Sequence, residues 1–142
     1  KMRKYAYKLE IAKQVNFRMS TDQVDYEIIE NAYASMDVGL VLLQDFPHYR
    51  ESLPTKFYEY MHHHLLVVAS DFPLWKSFIK EYSCGIAVPS NDARKAAAVF
   101  WHALKKLDIK QIGNKNSRIA RGKFTWNSQA DLLLKLYKTI LK

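Results

Sequence analysis

Two glutamates, Glu51 and Glu59, stand at the ends of the most polar stretch of the sequence and are separated by seven residues. A carboxylate offers two acceptor oxygens, which match two adjacent hydroxyl groups of a sugar. Between the glutamates, Pro54 and Thr55 mark the start of a helix that Thr55 can cap, and the free backbone N–H groups of a helix start bind phosphate. A diphosphate flanked by two sugars is the shape of a nucleotide-sugar donor. The spacing therefore favours a site for this class of molecule.

The charged residues of this stretch also have a simpler interpretation. Lys56 falls in the first helical turn, where a positive charge is unfavourable unless an anion lies nearby. Glu59 follows one turn later on the same face, so the two side chains can pair with each other at the surface. Glu51 taken alone is typical of a solvated loop acid. Residue types and spacing leave both interpretations open.

Helical and extended patterns alternate along the chain. Apolar and β-branched runs predict strands at residues 15–19, 37–43, 65–70 and 85–88, the second of them buried on both faces. Apolar residues at helical spacing predict helices at residues 1–13, 26–35, 55–63, 74–82, 93–107, 109–121 and 126–141. This order predicts an α/β fold, a doubly wound parallel sheet with helices on both faces that is incomplete on its N-terminal side. We expect one domain over residues 1–142.

Ligands of such sheets bind beyond the carboxyl ends of the strands. This rule selects the loops at residues 44–54, 70–73 and 89–92. The first of them follows the strand predicted to be most buried, shows no apolar period and contains Glu51.

Several other residues are predicted to be structural. Trp75, Trp101 and Trp126 follow helical apolar patterns, as does the leucine-rich last helix, and we expect all of them in the core. Cys84 is expected to be a small buried residue. The histidine triplet at residues 62–64 is not expected to hold a metal, because neighbouring side chains on a helix diverge by about 100°.

The chain is basic, with 22 lysines and arginines against 14 acids and a formal net charge of +8. Such a surface is either a solvated basic face or a contact for anionic lipid headgroups or phosphorylated ligands. No nucleic-acid recognition motif is present, so nucleic acid is not an expected partner. With a single cysteine, no apolar run of membrane-spanning length and no secretory signal, the chain is expected in the cytoplasm, peripheral to the inner face of the membrane.

Several motifs, in the right order, resemble those of family 4 (group 1) retaining glycosyltransferases, whose C-terminal half is the donor-binding domain of a GT-B fold. The spacing of two glutamates separated by seven residues is the signature of that family, and the resemblance runs from residue 15 to the end. The matching segments are 37–40 (DVGL), 51–61 (ESLPTKFYEYM), 67–71 (VVASD), 84–89 (CGIAVP), 116–118 (NSR) and 124–126 (FTW).

The resemblance implies transfer of a hexose from a nucleotide-diphosphate sugar to a glycan or lipid-linked acceptor, with retention of configuration. Glu51 would contact the hydroxyls of the donor sugar, and Glu59 those of the nucleotide ribose. No cofactor and no metal are implied, so that protein donors stabilise the leaving diphosphate. The implied donor-binding residues are Glu51, Ser52, Leu53, Pro54, Thr55, Lys56 and Glu59, with Glu51 as the catalytic residue but not a nucleophile.

The sequence departs from the family pattern at three places. The histidines at 62–64 stand where relatives place a glycine of positive φ, so we expect local strain or a shifted helix end. Ser117 replaces a glycine, with a small expected effect. The first strands of the domain and the N-terminal acceptor-binding domain are absent, so the chain alone is not expected to be catalytically complete. The alternative is a non-catalytic nucleotide-binding or interaction module that has kept this fold.

Overall fold

A computed structural model describes residues 2–17 and 24–141. The chain divides into two compact units, Lys1–Ala32 and Tyr33–Lys142. Within the described residues, no helix combines the length and the apolar character that crossing a bilayer requires.

The first unit contains helix α1 (Met2–Lys8) and most of α2 (Tyr26–Tyr33). The helix predicted at 1–13 is shorter than expected, because Glu10 adopts a positive φ of 57° and its N–H donates back to the carbonyl oxygen of Tyr7 in the last turn of α1. The strand predicted at 15–19 is not formed at residues 15–17, and residues 18 and 19 lie outside the described residues.

The second unit is built on a parallel three-stranded sheet of order β1-β2-β3. The strands are β1 (Val38–Val41), β2 (Leu66–Ser70) and β3 (Gly85–Val88). The helices are α3 (Pro47–Arg50), α4 (Thr55–His62), α5 (Pro73–Tyr82), α6 (Ala93–Leu104), α7 (Ile109–Lys123) and α8 (Trp126–Ile140). The predicted α/β fold is confirmed, and β3 has the predicted bounds. The loop predicted at 44–54 differs, since it contains the one-turn helix α3, which Pro47 starts.

Strand β2 forms the centre of the core, and all five of its residues are buried. Because side chains alternate along a strand, Val67 and Ala69 pack on one face, with side chains of α4 and α5. Leu66 and Val68 pack on the other, with Phe100 of α6 among others. Helices therefore cover both faces of the sheet, as predicted.

Strand β1 is only half covered, contrary to the prediction that it is buried on both faces. Val41 is buried, whereas Leu40 and the following Leu42 are each 52% exposed. In the described residues β1 lies at the edge of the sheet and pairs only with β2. The apolar run correctly predicts a strand, but its composition carries no information about how many strands and helices lie beside it.

Two tryptophans and the last helix also differ from the prediction. Trp75 is fully buried, whereas Trp101 is 61% and Trp126 is 79% exposed. The apolar side chains of α8 are exposed rather than part of the core. A helical apolar pattern establishes that a helix has an apolar face, and it does not establish that the same chain covers that face.

The histidine triplet ends α4 with the strain expected from the sequence. Helix α4 stops at His62, and His64 adopts a left-handed φ of 63°. Helix α7 packs directly against this turn, because a Cβ added to Gly113 would lie 2.0 Å from the carbonyl oxygen of His64. An exposed hydrogen bond of 3.1 Å joins His64 Nδ1 to Asn114 Oδ1. The turn therefore keeps a conformation that costs a non-glycine residue about 1–2 kcal/mol.

Asn116 of α7 links this turn to the sheet. Its side chain is fully buried, and Nδ2 donates to the carbonyl oxygens of Leu65, at 2.9 Å, and Cys84, at 2.8 Å. These carbonyls stand just before β2 and β3, so one amide fixes the starts of both strands. The 116–118 motif is thus structural at its first position.

The left-handed turn yields a stability prediction. Replacing His64 by glycine (His64→Gly) removes the penalty for a positive φ and is expected to raise the free energy of unfolding by about 1 kcal/mol, less the exposed bond to Asn114. The matched control is His63→Gly, at a φ of −87°, which should lower stability. Urea unfolding measures both, and a loss in His64→Gly equal to that in His63→Gly would contradict the account.

The buried amide yields a second prediction. Asn116→Ala leaves two buried carbonyl oxygens without their donor and should lower the free energy of unfolding by about 2–4 kcal/mol. Asn114→Ala, two residues away at an exposed position, should change it by less than about 0.5 kcal/mol. Equal losses in the two variants, in the same urea experiment, would show that Asn116 does not hold the strands.

Candidate functional site

The loop that leads from β1 to α4 is braced by an ion pair. Arg50 donates from Nε and Nη2 to the two carboxylate oxygens of Asp45, both at 2.5 Å. The hydrogen bond from Arg50 lowers the pKa of Asp45 below its usual value. Because Asp45 and Arg50 are five positions apart, their ion pair folds the loop back on itself. Glu51 then lies at the end of α3.

The residues between this loop and α4 are fixed by the core. Trp75 of α5, whose side chain is fully buried, donates from Nε1 to the carbonyl oxygen of Ser52 at 2.6 Å. A trans peptide directs its C=O and N–H groups in opposite directions. Because the Ser52 carbonyl points at Trp75, the N–H of Leu53 points away from it. The sequence predicted Trp75 as a core residue and gave no sign of this bond.

Helix α4 begins without a side-chain cap. Its N-cap residue is Pro54, with φ −64° and ψ 140°, and no side chain hydrogen-bonds to the cap. The prediction that Thr55 caps the helix is wrong, since Thr55 is the first helical residue. A proline N-cap has no side-chain acceptor for the first-turn N–H groups. Thr55 and Lys56 are exposed at this end.

Glu59 lies one turn into α4 and is half-buried. The Tyr33 hydroxyl donates to its Oε2 at 3.2 Å, which orients the carboxylate. Thr55 and Glu59 line one crevice of about 520 Å³, together with the aromatic rings of Tyr58 and Phe124. This volume lies within the range of small-molecule sites.

Glu51 has a different setting from Glu59. It is exposed, in the turn that ends α3 with φ −100° and ψ 1°. The described lining of the 520 Å³ crevice includes Thr55 and Glu59 but not Glu51. The structure therefore brings Thr55 and Glu59 of the predicted donor-binding set together in one crevice, and it holds Glu51 on the loop before it.

The three loops at the carboxyl ends of the strands are joined by side-chain hydrogen bonds that the sequence did not predict. Ser70 Oγ accepts from the N–H of Leu43 and donates to its carbonyl, both at 2.9 Å. Asp71 Oδ1 accepts from the N–H of Ser90 at 3.1 Å. The crevice among these loops measures about 180 Å³ and includes Gln44 and Pro89. It is smaller than a site that encloses a nucleotide sugar.

The thiol of Cys84 lies apart from the loops at the carboxyl ends of the strands. Cys84 is buried at the start of β3, as predicted, and burial raises its pKa to about 12. The thiol is therefore protonated at neutral pH. Among residues 2–17 and 24–141, no group of three or more histidine, cysteine, aspartate or glutamate side chains is arranged to hold a metal ion.

Comparison with known proteins gives matches of two kinds. The sucrose-phosphate synthase (tll1590) from Thermosynechococcus elongatus superposes with a TM-score of 0.74 and 20% sequence identity, over 99% of this chain and 33% of its own. The chain thus spans about a third of the length of that protein, and at this identity the likeness establishes the fold alone. No curated protein matches the chain. The model of the family described as "Glycosyl transferases group 1" matches residues 1–121, and the chain therefore belongs to that family.

Proposed function

We propose that the chain is the donor-binding part of a glycosyltransferase, which transfers a hexose from a nucleotide-diphosphate sugar with retention of configuration. The observation that carries the proposal is the uncapped start of α4, with the half-buried carboxylate of Glu59 one turn further along the same crevice. An anion site and a hydroxyl site stand side by side there, as a nucleotide requires.

The diphosphate binds the start of α4. The dipole of an eight-residue helix favours an anion at this end, and the N–H groups of Thr55 and Lys56, the first two helical residues, donate to its oxygens. Trp75 fixes the Ser52 carbonyl, so the Leu53 N–H is held in the opposite direction. The backbone of Ser52 to Thr55 holds the diphosphate, and Lys56 adds a positive charge beside it. Transfer then needs no metal, because these donors stabilise the charge on the leaving diphosphate.

The two glutamates bind the two sugars. Glu59 accepts from the ribose hydroxyls, and the bond from Tyr33 leaves further lone pairs of its carboxylate to do so. Glu51, on the exposed loop, contacts the hydroxyls of the donor hexose and positions it for the reaction without acting as a nucleophile. Its exposure fits a site that is closed by the substrate and by the acceptor-binding domain.

The acceptor is a glycan or a lipid-linked glycan and binds a second domain. The chain spans only about a third of the sucrose-phosphate synthase that it resembles in fold, which leaves room for that domain in a complete enzyme. We place the enzyme in the cytoplasm, where the net charge of +8 favours contact with an anionic membrane surface. Nucleic acid is not a partner in this proposal.

A calorimetric titration with uridine and guanosine diphosphates tests the donor site. Saturable heat is expected with one of them, and Glu59→Gln should weaken its binding about 10- to 100-fold, because it removes a charged acceptor of the ribose hydroxyls. The matched control is Asp131→Asn on exposed α8, which makes the same chemical change and should leave binding unaltered.

Equal affinities for the wild-type chain and Glu59→Gln would contradict the role of Glu59. Diphosphate binding that persists without any turnover after the acceptor-binding half is added would favour the alternative, a nucleotide-binding module without catalytic activity.

A further inference from the structure

Another crevice, of about 530 Å³, lies at the C-terminal end of α4, where the histidine triplet ends the helix. Its volume is in the range of small-molecule sites. With a rise of 1.5 Å per residue, the eight residues of α4 separate the two helix ends by about 12 Å. The crevice also borders the residue before β1 and the first residues of α7, so it lies at the amino edge of the sheet, opposite the candidate donor site.

The crevice is lined mainly by cationic and hydrogen-bonding side chains. Lys110 and Arg121 of α7 carry permanent positive charges, against the single acid Asp37. The imidazole rings of the three histidines, His62–His64, add hydrogen-bonding nitrogens to the lining. An anion is therefore the ligand that this lining favours.

The geometry of two lining side chains is already fixed. Arg121 donates from Nε to Ser117 Oγ at 3.1 Å, and this bond orients its guanidinium group. The terminal N–H groups of a guanidinium are of the kind that pairs with phosphate oxygens. Asn114 Oδ1 lies 3.1 Å from His64 Nδ1. Because Oδ1 only accepts, His64 donates in this pair, and the amide nitrogen of Asn114 remains a donor.

His64 lines the crevice in a left-handed conformation that disfavours any residue except glycine. Gly113 makes room for its carbonyl oxygen, so the packing of α7 holds it there. A strained residue that a close contact maintains is characteristic of a functional position. The strain, the charge and the cavity volume thus point to the same place.

We infer that this crevice binds a small phosphate-bearing anion at a site separate from the donor diphosphate. Lys110 and the Arg121 guanidinium bind its oxygens, and the amide nitrogen of Asn114 provides a further donor. The inference does not depend on the proposed function, since none of these side chains belongs to the donor-binding set.

The test is a titration of the whole chain with inorganic pyrophosphate at fixed pH and matched ionic strength. The ring C–H signals of the five histidines are followed by NMR and assigned by single histidine-to-glutamine variants. His62, His63 and His64 should shift along one saturable curve, which His102 on α6, outside the crevice, does not follow. An equal shift of His102 would indicate diffuse charge screening and overturn the inference.

Charge-matched variants identify the site. Lys110→Gln combined with Arg121→Gln should weaken pyrophosphate binding at least tenfold. Lys106→Gln combined with Lys135→Gln, which removes the same charge at exposed positions elsewhere, should change it less than twofold. Lys110→Gln alone, at an exposed position, gives a partial loss that does not depend on the Arg121–Ser117 bond. Unchanged affinity in both Lys110 variants would refute the site.

Saturating uridine diphosphate separates this site from the donor site. The histidine response to pyrophosphate should persist in its presence if the two sites are distinct, and its disappearance would mean that one site explains both. An absent histidine response with intact, Glu59-dependent diphosphate binding would overturn the crevice and leave the proposed function standing.

Discussion

The hydrogen bond from Trp75 Nε1 to the Ser52 carbonyl oxygen sets the position of the chain just before α4, where the candidate donor site lies. Trp75 is fully buried and packs edge to face with Phe57 and Phe72, so the donor is as rigid as the core itself. Because the Ser52–Leu53 peptide group is planar, the same bond also fixes the direction of the Leu53 N–H. Since preorganised donors stabilise charge without reorganising during the reaction, the core of the unit determines the electrostatics of the loop.

Helix α4 connects the two ends of the sheet as a rigid element. Phe57 and Met61 anchor it in the core, with no exposed surface. Its start meets the loop after β1, and its end meets α7 through the left-handed turn at His64. Both ends therefore move only if the core moves. The candidate donor site and the cationic crevice are consequently held by the same eight residues, and the strain at one end is balanced by the packing of the whole helix.

Local sequence patterns predicted the elements well and their surroundings poorly. Strand β3 was located to the residue, because a short apolar run is bounded by Cys84-Gly85 and by Pro89. The burial of β1 and of α8 was predicted wrongly, because exposure depends on neighbours that a local pattern does not contain. The motif identified the donor-binding residues as one contiguous segment, and their assignment stays a prediction. The contacts of Trp75 and Tyr33 with this segment join distant parts of the chain, so no local signal reveals them.

The central claim is that a diphosphate rests on the backbone at the start of α4, and amide chemical shifts measure this directly. Uridine diphosphate is added to the isotope-labelled chain, with uridine as the control that lacks the phosphates. The account predicts that the largest shifts with the diphosphate fall on the N–H groups of Leu53, Thr55 and Lys56, and that uridine leaves these three unchanged. Diphosphate-dependent shifts confined to other parts of the chain, with these three N–H groups unmoved, would contradict it.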